Sequence, residues 1–154
     1  SLELKPGETA ADIGAGSGFF TRRMAEKVLP GGMVYAVDIN KKLLAHIEKN
    51  TGGLPIRTVL ATEDDPRVPE RVDLIFMCDT LHYIEKPSVY ISRMALHLGG
   101  GGRLAIIDFV KNWPPMSNRF TVEELKGWAC AAGMEPTREY DFIEDEFFIV
   151  FVKR

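Results

Sequence analysis

The stretch TAADIGAGSGFF, residues 9–20, sets an aspartate, Asp12, ahead of three glycines at alternate positions, Gly14, Gly16 and Gly18. A second aspartate, Asp38, closes the apolar run MVYAV (residues 33–37) and stands 20 residues after Gly18. Glycine costs roughly 0.5–1 kcal/mol in regular structure and is kept where φ must be positive or where another group approaches the backbone closely. A carboxylate closing the neighbouring strand is placed to accept hydrogen bonds from both hydroxyls of a ribose. The chemistry these residues offer is therefore the binding of a nucleotide-type cofactor; for the glycines alone, a tight turn without a ligand is the alternative. A dinucleotide fingerprint, G-x-G-x-x-G, would need glycine at position 19, which is Phe19, and no G-K-[ST] follows. A pyrophosphate cradle and a P-loop are both disfavoured.

Further along, TEDD (residues 62–65) and CDTLHY (78–83) gather carboxylates, a thiol, a histidine and a phenol, and Asp108 follows a third apolar run. Asp79, His82 and Tyr83 are the candidates for removing a proton from a substrate, with Asp108 further along. His82 is suited by an intrinsic pKa near 6.5. His46 and His97 fall within helical periods and read as surface or packing residues. The histidines are dispersed and the acidic run lacks a calcium-loop pattern, so no metal site is expected.

The elements that must position these residues follow from periodicity. Short apolar runs at Ala10–Ile13, Met33–Val37, Ile56–Leu60, Val72–Cys78 and Arg103–Phe109 read as strands. Phe20, Met24 and Val28 recur at helical spacing, as do Leu43, Leu44 and Ile47 within Lys41–Asn50, and Ile91, Met94, Ala95 and Leu98 within Pro87–Leu98. GGGG (99–102) is expected to end the last of these helices. Thr121 and Glu124 have capping-box spacing and open a fourth, closed by Gly133. Two final strands, Thr137–Ile143 and Phe147–Val152, are too close together for anything but an antiparallel hairpin. Strands alternating with helices, then a hairpin, predict an α/β fold. It is a three-layer, doubly wound, mostly parallel seven-stranded sheet, forming one domain over 1–154. Ligands of such sheets bind at the carboxyl ends of the strands. The glycine loop, Asp38, the 61–65 loop, Asp79 and Asp108 all fall on that edge.

Composition bounds the partners. The formal charge is −3 and the cations are scattered, which argues against a nucleic-acid or anionic-membrane surface. No apolar run approaches the roughly 18 residues of a membrane span, and no leader is visible. Cys78 and Cys130 each sit in apolar runs and are expected to be buried free thiols, fitting a reducing, cytoplasmic setting. Phe19 and Phe20 are expected in the core.

DIGAGSG resembles the first motif of class I S-adenosylmethionine-dependent methyltransferases, an acid followed by G-x-G-x-G. VYAVDIN resembles that family's second strand with its ribose-binding acid, VDLIFMCDTLHYI its fourth-strand motif and LGGGGRLAIIDF its fifth. The resemblance covers essentially residues 4–154. Its implications are specific. Asp38 holds the ribose and Ile39 packs on the adenine face. A residue of 62–65, by loop position Asp64, meets the adenine amino edge. Asp12 orients the methionine moiety. Gly14, Ala15 and Gly16 bring backbone against the amino-acid end, where the carbonyl of Cys78 meets the ammonium, while Gly18 serves helix packing. S-adenosylmethionine is the implied cofactor, S-adenosylhomocysteine the product, and a small molecule the methyl acceptor, with Asp79 and His82 as candidate catalytic residues. Trp113, in the loop Lys111–Phe120, is a candidate for the acceptor pocket or a loop anchor. Family members generally carry one or two helices before the first strand, so a truncated or minimal core is expected. The rivals are a cofactor-binding module without activity of its own and a nicotinamide-dependent oxidoreductase. Against the latter stand the glycine spacing and the absence of a Tyr-x-x-x-Lys pair.

Overall fold

Continuous apolar character in VDLIFMC forces that strand into the middle of a sheet covered on both faces, and it lies there. In the computed structural model, which describes residues 2–109, 120–141 and 144–154, seven strands form one sheet. They are β1 (Thr9–Ile13), β2 (Met33–Asp38), β3 (Ile56–Leu60), β4 (Val72–Cys78), β5 (Leu98–Phe109), β6 (Met134–Tyr140) and β7 (Glu146–Lys153). Their order is β3-β2-β1-β4-β5-β7-β6, parallel except where β7 runs antiparallel to β5 and β6. Strand order reverses between β1 and β4, which makes their carboxyl ends the crevice of the sheet.

Side-chain alternation sorts the two faces. Ala10, Val34, Ala36, Leu74, Phe76 and Ala105 point to the face covered by α1 (Phe19–Lys27) and α2 (Lys41–Lys49), packing on Met24, Ala25, Val28 and Ile47. Ala11, Val37, Ile75, Met77, Leu104 and Ile106 point to the other, under α3 (Pro87–Leu96) and α4 (Val122–Ala131). By the same alternation Asp12, Asp38 and Cys78 leave the sheet toward α1 and α2, and Asp108 leaves it toward α3 and α4.

Caps fix where the helices begin. Asn40 accepts from the N–H groups of Lys42 and Leu43 at the start of α2, and Thr121 with Glu124 forms a complete capping box on α4. α1 has no cap of its own, because Gly18 stands at its N-cap. Instead Asp12 on β1 accepts the Thr21 hydroxyl at 2.6 Å, so the preceding strand delivers a carboxylate to the start of the helix.

Several expectations are corrected. The four glycines do not end a helix: α3 stops at Leu96, and Gly99–Gly102 lie within β5. Val72 pairs with Leu98 but Leu74 pairs with Arg103, so the glycines take up the slack of a register shift. β6 begins at Met134 rather than Thr137, since Gly133 lets the chain turn straight from α4 into the sheet. Phe19 and Phe20 are 50% and 36% exposed rather than core, edge-on to each other, with the Arg23 guanidinium over Phe19 and Phe76 against Phe20. Cys130 is exposed and Cys78 half-buried, so neither is the fully buried thiol expected. A single 3-10 turn over Leu81–Tyr83, with no periodic signature, follows β4.

Candidate functional site

The loops leaving the carboxyl ends of β1 to β4 enclose a cavity of about 500 Å³. That lies within the range of small-molecule sites. Ile13, Gly14, Asp38, Ile39, Ala61, residues 62–64, Asp79, Thr80, Tyr83 and Tyr90 are among its lining. Five of the ten candidate site residues, Gly14, Asp38, Ile39, Asp64 and Asp79, therefore meet at one cavity. Asp12, Ala15, Gly16, Cys78 and His82 lie outside its wall.

Asp38 is half-buried, and each carboxylate oxygen already accepts one backbone bond: Oδ2 from Gly16 N–H and Oδ1 from Asn40 N–H, both at 2.9 Å. An ionised carboxylate has about four acceptor sites. One lone pair per oxygen is left, matched to two hydroxyls side by side. The same two bonds pin the glycine loop and the start of α2 around the carboxylate, so its orientation is set in advance. Ile39 is 59% exposed beside it, an apolar side chain held out at the cavity edge. Across the cavity, the carbonyl of Asp64 accepts from Arg93 on α3, which ties the 62–65 loop down. Asp65 turns away, using its carboxylate to accept Arg67 N–H.

The glycines divide by surroundings. Gly16 has φ 56°, and a Cβ built on it would meet nothing nearer than a backbone oxygen at 4.0 Å. Its bare face opens onto free space. At Gly14 a Cβ would fall 2.9 Å from Cβ of Thr80, so its missing side chain is filled by the loop after β4. Gly18 would clash with Ile47. Ala15 is buried with Ala36 and Ile47 and donates its N–H to Val37. The carbonyl of Cys78 accepts the Thr80 hydroxyl at 2.8 Å, leaving one lone pair. Burial, with Asp79 and Glu146 nearby, pushes its thiol up to about 12, which keeps it protonated and unreactive.

Asp12 is 2% exposed. Burial raises its carboxyl to about 6, against the lowering effect of its bonds from Thr21, and Asp38 adds a further push upward. Asp79 stands at φ 50°, a left-handed backbone at the mouth of β4. Burial and the neighbouring Asp108 raise its pKa, while a hydrogen bond to Glu146 opposes the shift. Glu146 is raised in turn, by burial and by the charge and hydrogen bond of Asp79 across the β4 and β7 ends. His82 and Asp108 form a buried pair behind this edge, Nδ1 to Oδ1 at 2.7 Å.

Sequence reasoning missed Thr80, Tyr90 and Glu146. Only the hairpin held a signal for Glu146: an antiparallel return beside β5 pairs it with Phe109, at the level of Asp108. Trp113 lies outside the described residues. Among the described residues no group of His, Cys, Asp and Glu is arranged to hold a metal, and no helix is long and apolar enough to cross a membrane.

An acid at the end of β2, an open glycine on the β1 loop and a closing antiparallel hairpin restrict the family. Residues 11–104 match the family described as methyltransferase domain. The chain belongs to that family. It is of the class I S-adenosylmethionine-dependent type, whose methyl donor is S-adenosylmethionine. The chain is similar to the ubiquinone/menaquinone biosynthesis C-methyltransferase UbiE of Cupriavidus metallidurans, 25% identical over 126 residues, covering 80% of this chain and 52% of that protein. It thus spans about half the length of such curated relatives. A solved S-adenosylmethionine-dependent methyltransferase from Aquifex aeolicus shares the fold with a TM-score of 0.85 at 24% identity, covering 99% of this chain and 86% of that one. Magnesium protoporphyrin IX methyltransferase from Synechocystis, solved with bound S-adenosylhomocysteine, gives a TM-score of 0.80 at 16% identity, over 97% and 75% of the two chains.

Proposed function

We propose that this methyltransferase domain binds S-adenosylmethionine in the cavity at the carboxyl edge of its sheet and methylates a small-molecule acceptor. The carrying observation is the Asp38 carboxylate, pinned by Gly16 and Asn40 with one free lone pair on each oxygen, at the rim of a 500 Å³ cavity. In this reading Asp38 accepts both ribose hydroxyls, Ile39 covers one adenine face, and the loop holding Asp64 meets the adenine edge. The open side of Gly16 admits the amino-acid end, with Asp12 beneath it and the remaining lone pair of the Cys78 carbonyl facing the ammonium. Gly14 and Ala15 set the path of the loop.

The cofactor, when bound, supplies an electrophilic methyl on a positive sulfonium. The residues of this chain then need mainly to align the acceptor and exclude water. Asp79, at the mouth of β4, lies on the acceptor side. The acidic sheet edge, with no basic strip among the described residues, supports a small neutral or cationic acceptor over a nucleic acid. The similarity to C-methyltransferases makes an activated carbon one acceptor to test.

Calorimetric titration with S-adenosylhomocysteine, with NADH as control, tests the reading. Binding of the former alone is expected. Heat with NADH and none with S-adenosylhomocysteine would overturn it. Production of S-adenosylhomocysteine across a panel of hydroxyl, thiol, amine and carbon-acid acceptors then reports the activity.

A further inference from the structure

Among the described residues one buried side-chain polar atom has no hydrogen-bond partner: Nε2 of His82. The residue is 5% exposed and Asp108 fully buried. The Asp108 carboxylate accepts His82 N–H at 3.2 Å and Phe109 N–H at 2.8 Å, and its Oδ1 lies 2.7 Å from His82 Nδ1. An ionised carboxylate only accepts, so Nδ1 must be the donor. In the neutral imidazole this places the proton on Nδ1 and leaves the ring's lone pair on Nε2. A packing role accounts for the Nδ1 bond but not for a basic nitrogen left without a partner in a buried place, which costs about 1–3 kcal/mol. Tyr83 belongs both to the cavity wall and to the packing of this ring, with centroids 4.1 Å apart. It is 67% exposed, and exposed side chains change rotamer within nanoseconds. Tyr83 thus links the cavity wall to the imidazole, which Phe109 also packs against, and its exposure leaves it room to change rotamer.

We propose that Nε2 of His82 is the general base for methyl transfer, that Asp108 is its positioning residue, and that the acceptor is therefore a nucleophile carrying a dissociable proton on its attacking atom. This rests on the methyl-transfer reading above. The acceptor X–H bond breaks and its proton bonds to Nε2, while the electron pair left on X forms the bond to the methyl carbon. The pair that held the methyl departs with the sulfur of S-adenosylhomocysteine. Asp108 balances the imidazolium that results. Asp79 at the end of β4, Glu146 at the start of β7, Cys78 and Tyr83 are titratable groups on this side, and the first two have raised pKa values. Hydroxyls, thiols and activated carbon acids meet the requirement; a thioether or a tertiary amine, having no proton to give, does not.

The protein has three histidines, so ¹⁵N-imidazole spectra of the cofactor-free protein can be assigned with His46→Gln, His97→Gln and His82→Gln. His82 is expected as the Nδ1–H tautomer with Nε2 unprotonated, and Asp108→Asn is expected to abolish that single-tautomer signature. A proton on Nε2 in the wild type would overturn the proposal. Acylation by diethyl pyrocarbonate provides a second readout that does not depend on Asp108→Asn folding. Tyr83→Ala should speed modification of His82 by about tenfold, as expected when a local cover limits access; an unchanged rate would overturn Tyr83 as the cover and with it the route to Nε2. S-adenosylhomocysteine titration of the wild type and of His82→Gln separates the two readings. Both should bind alike, whereas loss of binding in the wild type would remove the cofactor site and leave the tautomer result standing.

Discussion

Asp12→Asn gives the sharpest test of the site's electrostatics. The Asp12 carboxyl is raised from 3.8 to about 6, first by burial, then by Asp38, against the bonds from Thr21. Its folded pKa exceeds its unfolded one, so protonation favours the fold. That contribution is complete below pH 3.8 and is lost as pH rises through 6. At 1.36 kcal/mol per pKa unit, the loss amounts to about 3 kcal/mol. Asparagine keeps an oxygen for the Thr21 hydroxyl and carries no charge. The new amide N–H groups shift stability by a constant amount whatever the pH. The difference between variant and wild type therefore isolates the carboxylate: it should move in favour of the variant by about 2.5 kcal/mol between pH 4 and pH 8, most of the full amount. Asp79 and Glu146 titrate in both proteins and cancel. Urea unfolding at pH steps across this range measures the difference directly. A flat difference would refute the claim that Asp12 is held ionised at a cost. Affinity for S-adenosylhomocysteine at pH 8 should fall in the same variant, so a gain in stability accompanies a loss in binding. A protein retains such a costly carboxylate where function uses it.

Asp38→Ala should weaken S-adenosylhomocysteine binding by about 1–3 kcal/mol, the scale of hydrogen bonds to a charged group, with calorimetry as the measurement. Unchanged affinity would remove Asp38 from the site. Gly14→Ala should destabilise the apo protein by about 1–3 kcal/mol through overpacking against Thr80, and Thr80→Ala should recover part of it in a double-mutant cycle. Gly16→Ala meets no neighbour, so its apo cost is the left-handed backbone alone, about 1–2 kcal/mol, while cofactor affinity falls more than in Gly14→Ala. Glu146→Gln removes one of two neighbouring acids, leaving Asp79. Both acids have raised pKa values, so wild-type stability falls as pH climbs through the carboxylate range, and the Tm of the variant should fall less steeply over the same steps.

Where one physical signal dominated, sequence and structure agree to the residue. β3 and β4 occupy the expected ranges, β2 runs on only to Asp38, and the Thr121–Glu124 box opens α4 as its spacing requires. Apolar runs bounded by turns and a reciprocal cap are local facts, and local facts are legible. The departures arise from tertiary pairing. Gly99–Gly102 look like a helix terminator, yet Val72 and Leu74 recruit them into β5 across a register shift that no local pattern encodes. Phe19 and Phe20 have core-type side chains, but they stand at the first turn of α1, where only Phe20 reaches the sheet, edge-on to Phe76 of β4, and both stay exposed. The candidate site was readable at Asp38, which lies at a strand end. Glu146 was not, because its place beside Asp79 depends on a hairpin returning more than sixty residues later.

The G-x-G-x-G motif shows why residue type alone underdetermines role. All three glycines have positive φ, yet each lacks a side chain for a different reason. At Gly18 the space belongs to Ile47 of α2, so that glycine sets how closely a helix packs. At Gly14 it belongs to Thr80, whose hydroxyl is in turn spent on the Cys78 carbonyl; this glycine joins the β1 and β4 loops into one wall. Only at Gly16 does the space belong to none of the described residues, and there the backbone N–H holds Asp38 in place. One glycine spaces a helix, one joins two loops of the cavity wall, and one leaves its side open. An alanine at 14 or 18 is therefore a test of folding, and an alanine at 16 is a test of binding.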